Sequence, residues 1–180
     1  MLYKNKYRIE SARLKEFDYS SNYWYYVTIN TKNHREFLGE VKDGKVILNN
    51  FGKIVDEEWN NISQIRSGVD LDYYVIMPNH SHGIIIVNQS SELKTVKTHR
   101  DASLRNDVCI NSLSNIIRGF KGATTKRIHQ AGCLEFKWQS RFYDHIIRSE
   151  KDLMRIREYI ILNPLKWNIE KNNPENIFED

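Results

Sequence analysis

The chain contains very little cysteine, and the two cysteines present are not arranged for cross-linking. Among its 180 residues, Cys109 and Cys133 form no CxxC pair and share no spacing with further cysteines. Neither a disulfide framework nor a zinc knuckle is indicated, and a reducing compartment fits this composition.

Long apolar runs are also missing. The amino terminus has no apolar stretch of the kind found in signal peptides, and the longest runs, at residues 73–77 and 84–87, are far shorter than a membrane span. No internal repeat or low-complexity segment occurs. The sequence therefore predicts a cytoplasmic protein without a membrane partner.

The composition predicts one domain over residues 1–180, since 40% of the residues are hydrophobic and 12% aromatic. The formal net charge is only +4, with a pI near 9.0, but the excess is concentrated. Residues 118–148 contain seven Lys and Arg against two acidic residues. This imbalance favours a polyanionic partner, although a basic surface that only keeps the domain in solution explains it equally well.

Local patterns predict the order of the elements. Aromatic and β-branched residues at 23–30 predict a buried strand, and Asp43-Gly44 suits the type I′ turn of a hairpin between 37–41 and 45–48. Helical periodicity follows at 51–65, behind a cap at Asn49 or Asn50. The remaining predicted elements are strands 73–77 and 82–87 joined by Pro78-Asn79, a helix at 110–129, a strand at 142–147, and a last helix that opens with a capping box at 149–152 and ends at Pro164.

This order predicts an α+β fold. It is a ferredoxin-like βαββαβ antiparallel sheet with helices on one face, an added hairpin and a C-terminal helix. Three segments are expected outside this framework: a basic arm at 1–20, a mobile polar loop at 88–106 and a tail at 170–180.

A His-x-His pair precedes the second of the two adjoining strands. Because side chains alternate across a strand, His80 and His82 should leave one face together, in register with Ile84 and Ile86. Two imidazoles on one face can share a borderline divalent cation such as Mn²⁺. The plainer interpretation, two surface or hydrogen-bonded histidines, is the more frequent one for such a pair on its own.

A phenol and a carboxamide lie one helical turn apart in the last helix. Tyr159 and Asn163 flank the apolar stripe of that helix, so the hydroxyl and the amide could meet the same cation. A phenol is a better leaving group than an alkyl alcohol, which makes a phosphotyrosine link reversible. By default, however, Tyr159 would be a packing residue, and Asn163 would mark the helix stop before Pro164.

Three ordered motifs resemble the signatures of IS200-like tyrosine transposases, most closely the REP-associated branch. They are residues 77–83 (Met-Pro-Asn-His-Ser-His-Gly), residues 138–148 (Trp-Gln-Ser-Arg-Phe-Tyr-Asp-His-Ile-Ile-Arg) and residues 159–164 (Tyr-Ile-Ile-Leu-Asn-Pro), within a similarity over about residues 8–168. The departure is Ser81, where the family usually carries a bulky apolar residue between the histidines. That change affects burial and leaves the metal ligands intact.

The resemblance implies an HUH-type transferase that cleaves and rejoins single-stranded DNA at palindromic hairpins through a 5′-phosphotyrosine. It implies Tyr159 as nucleophile, His80, His82 and Asn163 as ligands of Mg²⁺ or Mn²⁺, and a nucleoid-associated bacterial protein that is a monomer or homodimer. The residues predicted to contact DNA are Arg118, Lys121, Lys126, Arg127, Trp138, Gln139, Arg141 and Arg148. For Trp138 and Arg141, a core anchor beside a surface neighbour is an equally good interpretation.

Three alternatives stay open. Tyr143 is a rival nucleophile, because it lies two residues from His145 in the basic segment, although no amide follows it at helical spacing. A domesticated protein that binds hairpin DNA without transposing it would keep the same residues. A zinc hydrolase or deaminase is disfavoured, since no HxE with a downstream PCxxC is present.

Overall fold

The computed structural model describes residues 18–19, 21–88 and 111–170, with side chains to residue 167, and two short paired strands, β1 (Leu2–Tyr3) and β2 (Lys6–Tyr7). The predicted loop at 88–106 and tail at 170–180 lie almost wholly outside these residues, as does most of the predicted arm at 1–20. No helix in the described part of the chain is long and apolar enough to cross a bilayer.

The elements after β2 are β3 (Trp24–Asn30), the 3₁₀ turn η1 (Lys32–His34), β4 (Gly39–Lys42), β5 (Lys45–Leu48), α1 (Asn50–Ile65), β6 (Val69–Ile76), β7 (His80–Val87), α2 (Leu113–Gln130), β8 (Tyr143–Ile147) and α3 (Glu150–Glu170). Four strands form the central sheet, in the order β6-β7-β3-β8, and every neighbouring pair is antiparallel. Along the chain α1 lies between β3 and β6, and α2 between β7 and β8, which is the predicted ferredoxin-like βαββαβ arrangement.

The sheet is covered on both faces. Because side chains alternate along its strands, successive residues belong to two different cores. Odd-numbered residues of β3 and β7, such as Val27 and Ile85, pack with α1 and α2 in the main core. Even-numbered residues, such as Tyr26 and Ile84, pack with α3 in a smaller cluster. The helices of the βαββαβ unit therefore share one face, and α3 packs on the other.

The predicted caps of α1 and α3 and the predicted turn are present. The Asn49 side chain accepts hydrogen bonds from two backbone amides at the start of α1, and Ser149 Oγ accepts one from Asp152 at the start of α3. Ser112, which caps α2, was not predicted, because that helix was expected to begin at residue 110. Asp43 and Gly44 both have positive φ, at 51° and 69°, as a type I′ turn requires. The hairpin β4–β5 is a separate two-stranded sheet beside the main one.

The predicted end of the last helix at Pro164 is wrong, because α3 continues through Pro164 to Glu170. Proline removes one backbone hydrogen bond, to the carbonyl of residue 160, and a proline inside a helix costs about 3 kcal/mol. Trp167, one turn further, is only 6% exposed. Burying a large aromatic side chain contributes an energy comparable to the cost of the proline. The burial of Trp167 therefore stabilises the helical turn that follows Pro164.

Candidate active site

His80 and His82 lie in the first three residues of β7 and point to the face that α3 covers. In the sheet register His80 pairs with Asn30 and His82 with Thr28, near one end of the sheet. The two imidazole centroids are 4.5 Å apart. Ile84 joins the cluster beneath α3, whereas Ile85 belongs to the opposite core, so the predicted alternation holds along the strand.

Three successive turns of α3 pass over this pair. The ring of Tyr159 lies 5.3 Å from that of His82, centroid to centroid, at 73°. Asn163, 1% exposed, hydrogen-bonds the imidazole of His80, and the Trp167 ring lies 5.9 Å from the same imidazole. The four predicted site residues are thus brought together from two elements that are far apart in sequence.

Hydrogen bonds fix both imidazoles through their Nδ1 atoms. His80 Nδ1 lies 2.6 Å from Asn79 Oδ1, while His82 Nδ1 lies 2.8 Å from Tyr26 Oη and 2.9 Å from Thr28 Oγ1. His82 Nε2 is buried and has no hydrogen-bond partner within the described chain. A buried, unpaired ring nitrogen with its opposite nitrogen held by oxygen atoms is the arrangement of a metal-ligating histidine.

Burial keeps both rings neutral at physiological pH. Desolvation lowers the pKa of His80 to about 4, against the opposing effect of its hydrogen bond with Asn163. Desolvation, with a smaller contribution from neighbouring His80, also lowers the pKa of His82 well below its usual value. Only the neutral imidazole has a lone pair to give to a cation, so these shifts favour ligation.

The donor set fits a divalent cation that would complete its coordination with other oxygens. His80, His82 and the amide of Asn163 offer nitrogen and oxygen ligands of the kind that Mn²⁺ accepts. Among the described residues no group of three or more His, Cys, Asp or Glu forms a metal cluster.

The rival tyrosine lies on the same face but further from the histidines. Tyr143 in β8 pairs with Thr28, so β3 separates it from His82 in the sheet. Its ring lies 6.3 Å from that of Tyr26, and burial and the charge of Asp144 raise the pKa of its phenol. Of the two candidate nucleophiles, Tyr159 is the one packed against a histidine of the pair.

Trp138 and Arg127, two of the residues predicted to contact DNA, bond to other residues of the protein. Trp138 is 8% exposed and donates its Nε1 hydrogen to Thr124 Oγ1 at 2.8 Å, so the core-anchor interpretation describes its position. Arg127 pairs with two glutamates of α1, Glu57 and Glu58, at 2.6 and 2.7 Å, and its side chain is 38% exposed. The charge of Arg127 is therefore neutralised within the protein.

Lys121 holds the segment that follows Trp138. Its Nζ donates to the carbonyls of Gln139 and Arg141 at 2.8 and 2.9 Å, and desolvation lowers its pKa to about 8. The Gln139 side chain contacts His34 Nε2 at 3.1 Å, next to the site. The other predicted DNA contacts are exposed: Arg118, Lys126, Arg141 and Arg148.

The sequence did not single out Tyr26, Thr28 or Trp167 as site residues. Tyr26 and Thr28 are two residues apart on one strand, so the sequence predicts that they share a face. Their pairing with β7, however, depends on a long-range register that no local pattern encodes. Trp167 follows Asn163 at the same four-residue spacing that joins Asn163 to Tyr159. That spacing would have identified it had the helix not been ended at Pro164.

The chain shares its fold with a solved structure described as a REP-associated tyrosine transposase bound to a REP hairpin, at a TM-score of 0.58 and 21% identity, over 88% of this chain and 74% of that chain. The match confirms, for the fold, the resemblance that the motifs indicated. A Deinococcus radiodurans protein provisionally described as a transposase matches over 86% of this chain and 95% of its own, but its TM-score of 0.42 and 15% identity are too low to define a fold.

Sequence comparison then gives the family. An uncharacterized protein of Haemophilus influenzae is 35% identical over 159 residues, which cover 87% of this chain and 88% of that protein. The chain belongs to the same family as this Haemophilus protein. No model of a known protein family matches the chain.

Proposed function

We propose that the chain is an HUH-type tyrosine transposase that cleaves and rejoins single-stranded DNA at hairpin-forming elements. The observation that carries the proposal is the convergence of Tyr159, His80, His82 and Asn163 from α3 and β7. The shared fold with a transposase bound to a REP hairpin supports DNA, and hairpin DNA in particular, as the partner.

In the proposed reaction the phenolic oxygen of Tyr159 attacks a phosphorus atom of the DNA backbone. The bond from phosphorus to the 3′ oxygen breaks, that oxygen takes up a proton to leave as a 3′-hydroxyl, and the phenol loses its own proton. The downstream strand is then joined to Tyr159 through its 5′-phosphate. Attack by a 3′-hydroxyl on this link reverses the step and rejoins a strand without an external energy source.

His80, His82 and Asn163 would hold Mg²⁺ or Mn²⁺, which supplies charge neutralisation at the phosphoryl oxygens when bound. The protein's own residues position the nucleophile and the metal ligands. The edge-on contacts of the Tyr159 ring with His82 and Tyr26 fix the direction in which its hydroxyl points. The neutral state of the two imidazoles leaves their lone pairs available.

The test uses a hairpin oligonucleotide with a single-stranded flank, labelled at one end at a time, with Mn²⁺ present. A 3′ label should appear on the protein after denaturing electrophoresis, and a 5′ label should appear on a shortened free strand. Tyr159→Phe should abolish both products, while the matched variant Tyr143→Phe should retain them.

Two outcomes would contradict the proposal. If Tyr143→Phe abolishes the adduct and Tyr159→Phe retains it, the assignment of the nucleophile is wrong. If the wild-type protein binds the hairpin tightly but forms no adduct under any metal condition, the chain is a hairpin-binding protein and not a transferase. Binding must therefore be measured separately from cleavage, for example by fluorescence anisotropy of the same oligonucleotide.

A further inference from the structure

Two hydroxyl groups of β3 meet the inner nitrogen of His82. Tyr26 Oη and Thr28 Oγ1 lie 2.8 and 2.9 Å from His82 Nδ1, and both residues are buried. Thr28 in turn donates its hydroxyl hydrogen to Tyr26 Oη at 3.3 Å. The tyrosine ring also stacks on the imidazole, with centroids 5.6 Å apart and planes inclined by 20°.

These contacts favour one tautomer of the imidazole over the other. With the hydrogen on Nδ1, the ring donates to Thr28 Oγ1 and Tyr26 Oη, and each hydroxyl turns its own hydrogen away from the ring. With the hydrogen on Nε2, a buried N–H would have no acceptor among the described residues. A hydroxyl hydrogen can rotate to another acceptor, whereas an imidazole N–H is fixed in the plane of its ring, so the first arrangement is preferred.

We propose that Tyr26 and Thr28 are positioning residues that hold His82 as the Nδ1–H tautomer, with the Nε2 lone pair directed towards the space shared with His80 and Tyr159. The part of this inference that concerns metal ligation rests on the proposed function. The part that concerns the tautomer does not, because it depends only on hydrogen bonds within the chain. Partners of this kind orient a ligating histidine, and their loss typically weakens metal affinity by about 10- to 100-fold.

The direct test reads the tautomer in the metal-free protein. Long-range ¹H–¹⁵N correlation spectra of histidine-labelled protein distinguish a protonated ring nitrogen from a bare one. Wild-type His82 should show a protonated Nδ1 and a bare Nε2 at pH 7 to 8. In the double variant Tyr26→Phe, Thr28→Val, which removes both oxygens at nearly constant volume, protonation should move to Nε2, and the affinity for Mn²⁺ measured by calorimetry should fall about 10- to 100-fold.

Matched variants separate this role from a general loss of buried hydroxyl groups. Tyr25→Phe removes a hydroxyl from a buried residue that faces the opposite core, where it donates to the backbone carbonyl of Ser21. It should leave the His82 spectrum and the Mn²⁺ affinity unchanged. Thr28→Ser retains the oxygen and should preserve the wild-type pattern, which keeps the test usable if the double variant folds poorly.

The inference requires both changes in the double variant, and either one without the other overturns it. A wild-type His82 protonated on Nε2 would overturn it at once. If the wild-type protein binds no Mn²⁺, the proposed metal site fails, while the tautomer measured in the same sample still decides whether the two hydroxyls fix the ring. Absence of DNA cleavage would count against the proposed function alone.

Discussion

Gly83 follows His82 directly, and replacing it with alanine should destabilise the fold and disturb the strand that bears both histidines. A Cβ at this position would lie 2.2 Å from Cζ2 and 2.7 Å from Cη2 of Trp59 in α1. Carbon atoms at rest are about 3.5 Å apart or more, so one partner must move by roughly 1.3 Å. Trp59 is completely buried, with Tyr74 and Phe120 against its ring, and has little room to move.

Overpacking of this kind costs about 1–3 kcal/mol. We expect a value near the upper end, about 3 kcal/mol, because the clash involves the rigid indole. For a domain of this size the melting temperature should fall by roughly 6–12 °C. Thermal unfolding followed by circular dichroism measures this directly.

Two variants make the Gly83→Ala experiment decisive. Gly122→Ala in α2 is the matched control, because apart from its own stretch of helix no atom of the described chain lies within 4 Å of the added Cβ, and it should stabilise the protein by about 0.5–1 kcal/mol. Trp59→Phe removes the atoms that clash, so the double variant with Gly83→Ala should be less destabilised than the two single effects added together. An unchanged melting temperature for Gly83→Ala, or strictly additive effects in the double variant, would refute the reasoning.

Three further predictions concern the same strand and the basic segment. Ser81→Ala should raise stability by about 1 kcal/mol in chemical denaturation, since it removes a buried hydroxyl that has no partner in the described chain, and Mn²⁺ affinity should not change. Because the folded-state pKa values of His80 and His82 lie below the usual 6.5, the unfolded chain binds more protons than the folded chain below that pH. The metal-free protein should therefore lose stability as pH falls from about 6.5 towards 4. A melting temperature that stays constant over that range would contradict this. Trp138→Phe should lower stability but not hairpin affinity. Arg141→Ala should weaken hairpin binding and reduce its salt dependence by about one ion. The reverse pattern would show that Trp138 contacts the DNA.

The sequence predicted those features that depend on local periodicity. The parity of His80 and His82 relative to Ile84 and Ile85 placed the histidines on the correct face, because alternation is a property of any strand. Caps and the Asp43-Gly44 turn were predicted for the same reason, since their chemistry lies within a few residues.

Features that depend on distant partners were not predictable. Arg127 looked like part of a basic surface, yet the glutamates that neutralise it are about 70 positions earlier in the chain. Trp138 lies in the core, where it donates a hydrogen bond to Thr124. Tyr26 lies at the site because of its register with β7. The end of α3 was mispredicted because Pro164 is a local signal for termination, whereas the burial of Trp167 is a tertiary effect that exceeds it.

The position of Pro164 has a mechanical consequence for α3. In a helix the backbone N–H of residue 163 bonds to the carbonyl of residue 159, and Pro164 leaves that bond intact. The bond that Pro164 removes would have joined it to the carbonyl of residue 160, in the next, overlapping turn. A bend in that turn would shift Trp167 against His80 by more than it changes the spacing of the phenol and the carboxamide, because Trp167 lies beyond the proline.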